Sequence, residues 1–251
     1  EHGIPVKPIK NLLTLRERLT SDEAVARIVV VGGGAAGCEV CVNLWHLLDR
    51  AGRRKQLTLV SSENRLLTQA TLKASVLLKK YFEQLGIEII ENANVRTVRA
   101  NEIELESGRR LPSDVVALAI GVRPPALLRE SGLHCAKDGS MRVNAFLQSV
   151  AHPKIFGAGD GICFGKECLP RIGVFAVRQG PVLQRNLLAA LRSEALEEFK
   201  PQKNYLLILN LGDGTGLLTY GSWTLRSRWA FWFKDWLDRR FVRKFQSKDP
   251  K

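Results

Sequence analysis

Gly32-Gly33-Gly34-Ala35-Ala36-Gly37 carries the most specific chemistry in the sequence and fits G-x-G-x-x-G. In that pattern the first glycine permits a tight turn. The second lets the backbone approach a pyrophosphate, and the third lets a helix pack closely on a strand. The pyrophosphate rests on the helix N-terminus, where unpaired N–H groups and the helix dipole favour an anion. Gly32, Gly33, Gly34, Ala35, Ala36 and Gly37 are therefore the expected dinucleotide-binding residues. A glycine-rich turn without a ligand is the alternative, and context decides between them. The residues that end the next strand select the cofactor: an acid suits the ribose hydroxyls of NAD, and an arginine suits the phosphate of NADP. Ser61 or Ser62 holds that position, with Glu63 next and Arg65 close by. Glu63 tips the reading toward NADH, and NADPH stays open.

The motif needs a strand before it and a helix after it. Ile28 to Val31 is a continuous β-branched run, the mark of a strand buried on both faces. An apolar-periodic helix is expected from Ala35 to Asp49. Gln56–Ser61 reads as a second strand. Lys73–Leu85 reads as a helix ending at Gly86, and Ile87–Ile90 as a third strand. Val95–Val98 and Ile103–Leu105 read as short antiparallel strands, with Ser107-Gly108 turning the chain after them, and Val115–Ala119 as another buried strand. Strand–helix–strand–helix–strand with a β-insert is a Rossmann-like, doubly wound α/β domain. Before it, a polar helix is expected with Asn11 as its cap and Leu12, Leu15 and Leu19 on one face. After it come a short strand at Lys154–Phe156, a helix at Val174–Leu191, a break at Pro201, and strands at Leu206–Leu209 and Leu217–Tyr220.

Bulk properties narrow the class. The chain has 251 residues, 45% hydrophobic and 25% charged, which is ordinary globular composition. It contains no apolar run long enough for a spanning helix and does not open on a charged-then-apolar leader. The net charge of +13 admits nucleic acid, anionic lipid or plain solubility as explanations. Five cysteines in a chain of this size point away from a disulfide framework and toward a reducing compartment. Cys38 and Cys41 form C-x-x-C, but on a helix expected to pack against its sheet, so buried apolar thiols are the better reading. His46 reads as a packing or surface residue. No cysteine–histidine grouping makes a metal site convincing. Trp223, Trp229, Trp232 and Trp236 fall in the last thirty residues with Arg226, Arg228, Lys234, Arg239, Arg240, Arg243 and Lys244. Spacings of three and four among Trp232, Trp236, Arg239, Arg240 and Arg243 predict an aromatic, basic helix. Such a helix lies in a membrane interface or contacts a second copy, or it packs its tryptophans and solvates its arginines. Nucleic acid is not expected as a partner, because no binding motif accompanies the charge.

The order of motifs resembles a known family. Val31–Gly37 with Cys38-Glu39 resembles the second nucleotide motif of type II NADH dehydrogenases and related pyridine nucleotide-disulfide oxidoreductases. Ala119-Ile120-Gly121-Val122-Arg123-Pro124 resembles the linker by which those enzymes return to their FAD domain. Ile155-Phe156-Gly157-Ala158-Gly159-Asp160 resembles their late FAD motif, and Ala176-Val177-Arg178-Gln179-Gly180 the segment beside the flavin ring. Trp232–Phe241 is similar to the C-terminal segment of a branch associated with selenophosphate synthetase.

The resemblance implies a NAD(P)H-binding domain at 27–117 inserted in a partial FAD-binding domain. On this division 1–26 is a connecting segment, 118–197 the C-terminal part of the FAD domain, and 198–251 a small α+β interface or membrane element. The N-terminal FAD-binding segment is expected to be lacking. The implied cofactors are FAD and NAD(P)H, with Gly121, Gly159, Asp160 and Gln179 toward the flavin. Glu39 and Gln179 are the implied catalytic residues; charge–dipole stabilisation is the other reading of Glu39. Relatives that reduce quinones often carry two glutamines where this chain has Val174 and Gln179, so the acceptor is a quinone or another compound. A homodimer and a cytoplasmic chain peripheral on the membrane complete the expectation. A non-catalytic NAD(H)-binding module is one rival. Sulfur or selenium chemistry at Cys163 or Cys168 is another, against a merely structural loop there.

Overall fold

The computed structural model describes residues 2–21, 26–166 and 168–245. Residues 22–25 of the expected connecting segment and the Lys244 side chain lie outside the described residues. The chain divides into two compact units, residues 1–120 with 206–251, and residues 121–205.

The first unit opens with β1 (Gly3–Pro5) and α1 (Asn11–Ser21). It continues through β2 (Arg27–Val31), α2 (Ala35–Arg50), β3 (Gln56–Val60), α3 (Leu72–Gln84) and β4 (Glu88–Ile90). A three-stranded insert, β5 (Val95–Val98), β6 (Glu102–Leu105) and β7 (Arg110–Pro112), precedes β8 (Val115–Leu118). The main sheet is parallel throughout, in the order β1-β8-β2-β3-β4. Alternation along β2 serves two cores. Ile28 and Val30 pack with α1, α2 and α3 through Leu15, Leu19, Val42, Leu48, Leu78 and Phe82. Val29 and Val31 face the insert through Ile103, Leu105 and Leu111. Side chains of successive strand residues point to opposite faces, so a strand covered on both faces must be apolar at every position. This is the expected Rossmann-like α/β architecture. β7 was not expected: it has three residues, of which Leu111 alone is buried, too short a run to register as alternation.

Local signals set most boundaries. The Thr71 hydroxyl accepts the Ala74 N–H at 3.1 Å and caps α3. Gly86, at φ +71°, takes the left-handed position after the helix. Asn11 does not cap α1. It is the first helical residue, and its Nδ2 donates to the Pro5 carbonyl at 2.9 Å, tying the helix to β1.

The second unit contains α4 (Leu127–Glu130), β9 (Met141–Val143), a 3-10 turn at Gly159–Gly161, β10 (Ile162–Phe164) and α5 (Gly173–Leu191). β9 and β10 pair in parallel. Their core gathers Met141, Val143, Leu147, Ile162, Phe175, Val182 and Phe199. The strand expected at 154–156 is reduced to one bridge between Phe156 and Gln148.

The chain then returns to the first unit with β11 (Leu207–Asn210), β12 (Gly216–Tyr220), β13 (Trp223–Ser227) and α6 (Arg228–Phe245). Two expected boundaries change as a result. Residues 206–251 are not a separate element, because Leu209, Leu211 and Leu217 are buried in the same core as α2 and α3. The start of the expected connecting segment belongs to the nucleotide sheet, because β1 pairs with β8 and α1 buries Leu15 and Leu19. Residues 198–205 group with the second unit. Among the described residues no helix is long and apolar enough to cross a membrane.

Candidate functional site

The glycine loop connects β2 to α2 at the carboxyl ends of three adjacent strands. Val31 pairs with Val60 of β3 on one side and Leu118 of β8 on the other. Strand connections diverge here, which is where ligands bind in open α/β sheets. Three glycines have no room for a side chain. A Cβ on Gly32 (φ +124°) would collide with the Ala119 carbonyl, one on Gly33 with the Ser61 hydroxyl, and one on Gly37 with the Gly32 carbonyl. Gly34 is different. A Cβ there would meet only Gln69 Nε2, at 3.7 Å, so this position faces space. Gly34 precedes α2 with no side-chain cap on the helix, which leaves the first-turn amides of α2 without a capping side chain beside that space. The space is a cleft of about 470 Å³ lined by Gly32, Gly33, Gly34, Ser62, Glu63, Thr68 and residues 93–98 of the insert. A glycine cradle, open amides and a cleft fit a dinucleotide pyrophosphate.

The structure separates the residues that were expected to select the cofactor. Ser61 is buried beneath Gly33, and its Oγ accepts the Glu63 N–H at 3.1 Å. It does not line the cleft, because the loop needs its hydroxyl to hold the turn. Ser62 and Glu63 do line it. Arg65 donates to the carbonyls of Leu67, Thr68 and Ala70 at 3.0, 2.8 and 3.1 Å.

Glu39 lies in α2 but away from the cleft lining. Its Oε1 accepts the Asn210 N–H of β11 at 2.9 Å. Asn43 adds two bonds, donating to the carbonyls of Glu39 and Asn210 at 2.7 and 2.9 Å. Burial raises the Glu39 pKa, opposed by the Asn210 N–H and by Lys234. The carboxylate thus joins α2 to the C-terminal sheet. Cys38 and Cys41 are fully buried, and burial pushes both thiols up in pKa. The Cys38 thiol donates to the Gly33 carbonyl at 3.3 Å. His46 packs, with its Nε2 2.8 Å from the Tyr81 hydroxyl. Sequence reading missed the network beyond it. Arg226 stacks over the Tyr81 ring at 3.8 Å and bonds Asp213 at 2.6 Å. Burial works to raise the Asp213 pKa, but bonds from Thr215, Arg226 and Tyr81 outweigh it and hold the carboxyl at about 2.

The second unit holds the Gly157–Asp160 turn. A Cβ on Gly157 would collide with Met141 and Ile162, and Gly159 adopts φ +73°. Gln179, buried in α5, accepts the Gly159 N–H at 2.6 Å. Arg171 donates to the Asp160 carbonyl at 3.0 Å and pairs with Asp138 at 2.5 Å. A cleft of about 460 Å³ beside this turn is lined by Val122, Leu133, Phe156, Ala158, Asp160 and Gly161, among others. Mostly apolar walls with two charged residues, Arg123 and Asp160, fit a ligand that has both a flat apolar face and polar edges, as the flavin end of FAD has. Gly121, at φ +88°, begins this unit. Cys163 and Cys168 form a disulfide, which the expectation of reduced cysteines did not include. Their separation of five residues and a left-handed Cys168 (φ +54°) bring the Cα atoms to 4.4 Å.

Relatives agree with this architecture. The chain is 27% identical over 213 residues to the type II NADH:quinone oxidoreductase of Haemophilus influenzae, covering 79% of this chain and 48% of that protein. It is 25% identical to the human ferroptosis suppressor protein 1, covering 76% and 53% respectively. The chain thus spans about half the length of these relatives. NDH2 from Plasmodium falciparum in complex with NADH shares the fold at a TM-score of 0.82 and 13% identity, over 96% of this chain and 70% of that one. The sulfide:quinone oxidoreductase of Aquifex aeolicus does so at 0.80 and 18%, over 97% and 64%. With residues 6–180 matching its family pattern, the chain belongs to the pyridine nucleotide-disulphide oxidoreductases, a family of FAD- and NAD(P)H-dependent enzymes.

Proposed function

We propose that the chain binds NADH on the Gly32–Gly37 loop and serves FAD-dependent transfer of its hydride toward an electron acceptor, a quinone first among candidates. One observation carries the reading: glycines that admit no side chain, Gly32 and Gly33, line the cleft at the strand ends and lead into a helix N-terminus that has no side-chain cap. The amides of Ala35, Ala36 and Gly37 would bond the pyrophosphate, with the helix dipole adding to the attraction. Glu63 in the cleft wall supports the ribose of NADH over the phosphate of NADPH. Bound FAD would supply the two-electron carrier between dinucleotide and acceptor. Gly159, Asp160 and Gln179 are the residues proposed to hold it, with Gly121 at the entry to their unit. Gln179 acts by fixing the Gly159 amide. Glu39 acts from a distance, by holding α2 to β11.

The relatives named for quinone reduction support a quinone acceptor. α6 supports a peripheral membrane contact: Trp229, Trp232 and Trp236 are more than half exposed, and Arg240 lies over Trp236 at 5.3 Å. Exposed aromatic rings beside basic residues suit a lipid headgroup layer. Co-sedimentation with anionic vesicles that survives serine at all three positions would remove this part of the proposal.

The test of the main reading is the visible spectrum of the purified chain with added FAD, before and after anaerobic NADH. Flavin bands that bleach on NADH are expected. A chain that takes up no FAD and binds no NADH would end the proposal. A second reading rests on the Cys163–Cys168 disulfide, whose thiols would take part in turnover. Serine at both positions leaves NADH oxidation by a quinone largely intact on the first reading and abolishes turnover on the second.

A further inference from the structure

Arg65 stands two residues from Glu63, where an arginine would be expected to meet the 2′-phosphate of NADPH. The structure gives it other work. Its guanidinium spans three backbone carbonyls, Leu67, Thr68 and Ala70, at 2.8 to 3.1 Å. Loop 65–70 needs such a clamp. Leu67 adopts φ +53°, a left-handed conformation that costs a branched side chain energy, and both Leu66 and Leu67 are fully buried. The loop also touches the glycine cradle. The Leu67 N–H donates to the Gly33 carbonyl at 2.9 Å, and the Cys38 thiol donates to the same oxygen at 3.3 Å.

The peptide between Gly33 and Gly34 is planar and trans, so its carbonyl and its N–H point in opposite directions. Two donors hold the carbonyl on the protein side. The Gly34 N–H is thereby turned away from Leu67, at a residue that lines the cleft. From this geometry we infer that Arg65 is a positioning residue for the dinucleotide. It locks loop 65–70, the loop locks the Gly33 carbonyl, and the fixed peptide presents the Gly34 amide to the pyrophosphate. It is not a receptor for the 2′-phosphate. The inference rests on the proposed dinucleotide site and adds what orders it and what decides between the two cofactors.

The test compares NADH and NADPH binding to the full chain and to Arg65→Ala by equilibrium titration. Removing three charge-assisted bonds from the loop is expected to weaken NADH binding about tenfold, with NADPH weakened by the same factor. The ratio of the two affinities stays at its wild-type value. Arg65→Lys keeps the charge and lacks the planar fork; it serves where the alanine variant fails to fold. It is expected to lose affinity for both cofactors, again without changing their ratio. Selective loss of NADPH in either variant would overturn the inference and make Arg65 a phosphate receptor. Wild-type affinity for NADH in a folded variant would overturn it as well. A wild-type chain that binds neither cofactor defeats the proposed site itself, an outcome visible before any variant is made.

Discussion

The glycine loop of the first unit and the Gly157–Asp160 turn of the second are both backbone cradles, but different forces hold them. Around Gly32, Gly33 and Gly37 the constraint is steric: backbone or a short side chain occupies the place where a Cβ would stand. These contacts come from the loop itself and from strand ends in parallel register with it. At Gly159 the decisive contact is a side chain reaching from twenty residues away, the Gln179 carbonyl oxygen on the Gly159 N–H. Arg171 and Asp138 add a second tie. A steric cradle tolerates no added atom. The second turn is closed to bulk as well at Gly157, where a Cβ would collide with Met141 and Ile162, but it depends in addition on the Gln179 bond.

The sharpest way to break the comparison is to add bulk to the steric cradle. Gly37→Val pushes a branched side chain into the Gly32 carbonyl, and neither backbone can move without separating β2 from α2. Destabilisation of about 3 kcal/mol and loss of NADH binding are expected, read by urea unfolding and titration. A Gly37→Val chain with wild-type stability would show that the loop is not sterically set.

Gln179→Ala tests the other side. It leaves the Gly159 N–H without its acceptor, at a cost of about 2 kcal/mol. FAD retention should fall while NADH affinity holds, because the two cradles lie in different units. Equal loss of both ligands would dissolve the distinction between the cradles.

The smallest effect separates two roles of Glu39. Burial raises its folded pKa above the usual 4.5, so the folded state holds the proton more tightly than the unfolded chain does. The charged form therefore costs stability, increasingly as pH rises through 4.5 and constantly above the folded pKa. Glu39→Gln keeps an acceptor for the Asn210 N–H without the charge. Its melting temperature should exceed wild type at pH 8 by a degree or two and match it near pH 4. If turnover also survives, Glu39 positions α2 and does no chemistry; lost turnover with a raised melting temperature would assign it a direct part.

The glycine loop was legible because every term that fixes it is local. β-branched residues before it and an apolar-periodic helix after it marked Gly32–Gly37 as a tight strand-to-helix turn. Gly86 and the spacing of Trp232, Trp236 and Arg239 were legible for the same reason. The Ser61–Glu63–Arg65 stretch was legible only as alternatives, since side chains two residues apart can turn to the cleft or away from it. The Asn210 bond of Glu39 was not legible, because that partner is 171 residues distant.

By itself, then, the sequence determined the parallel sheet, the tight glycine turn between β2 and α2 and the order of motifs, because backbone sterics and residue periodicity act over a few neighbouring positions. Tertiary structure alone decided which side chains face the cleft. It buried Ser61, committed Arg65 to three carbonyls and left Glu63 in the wall. It also drew residues 206–251 into the first unit, joined Cys163 to Cys168, and linked Tyr81 to Asp213 and Arg226. Those outcomes depend on which surfaces meet when distant segments pack, and no local pattern carries that information.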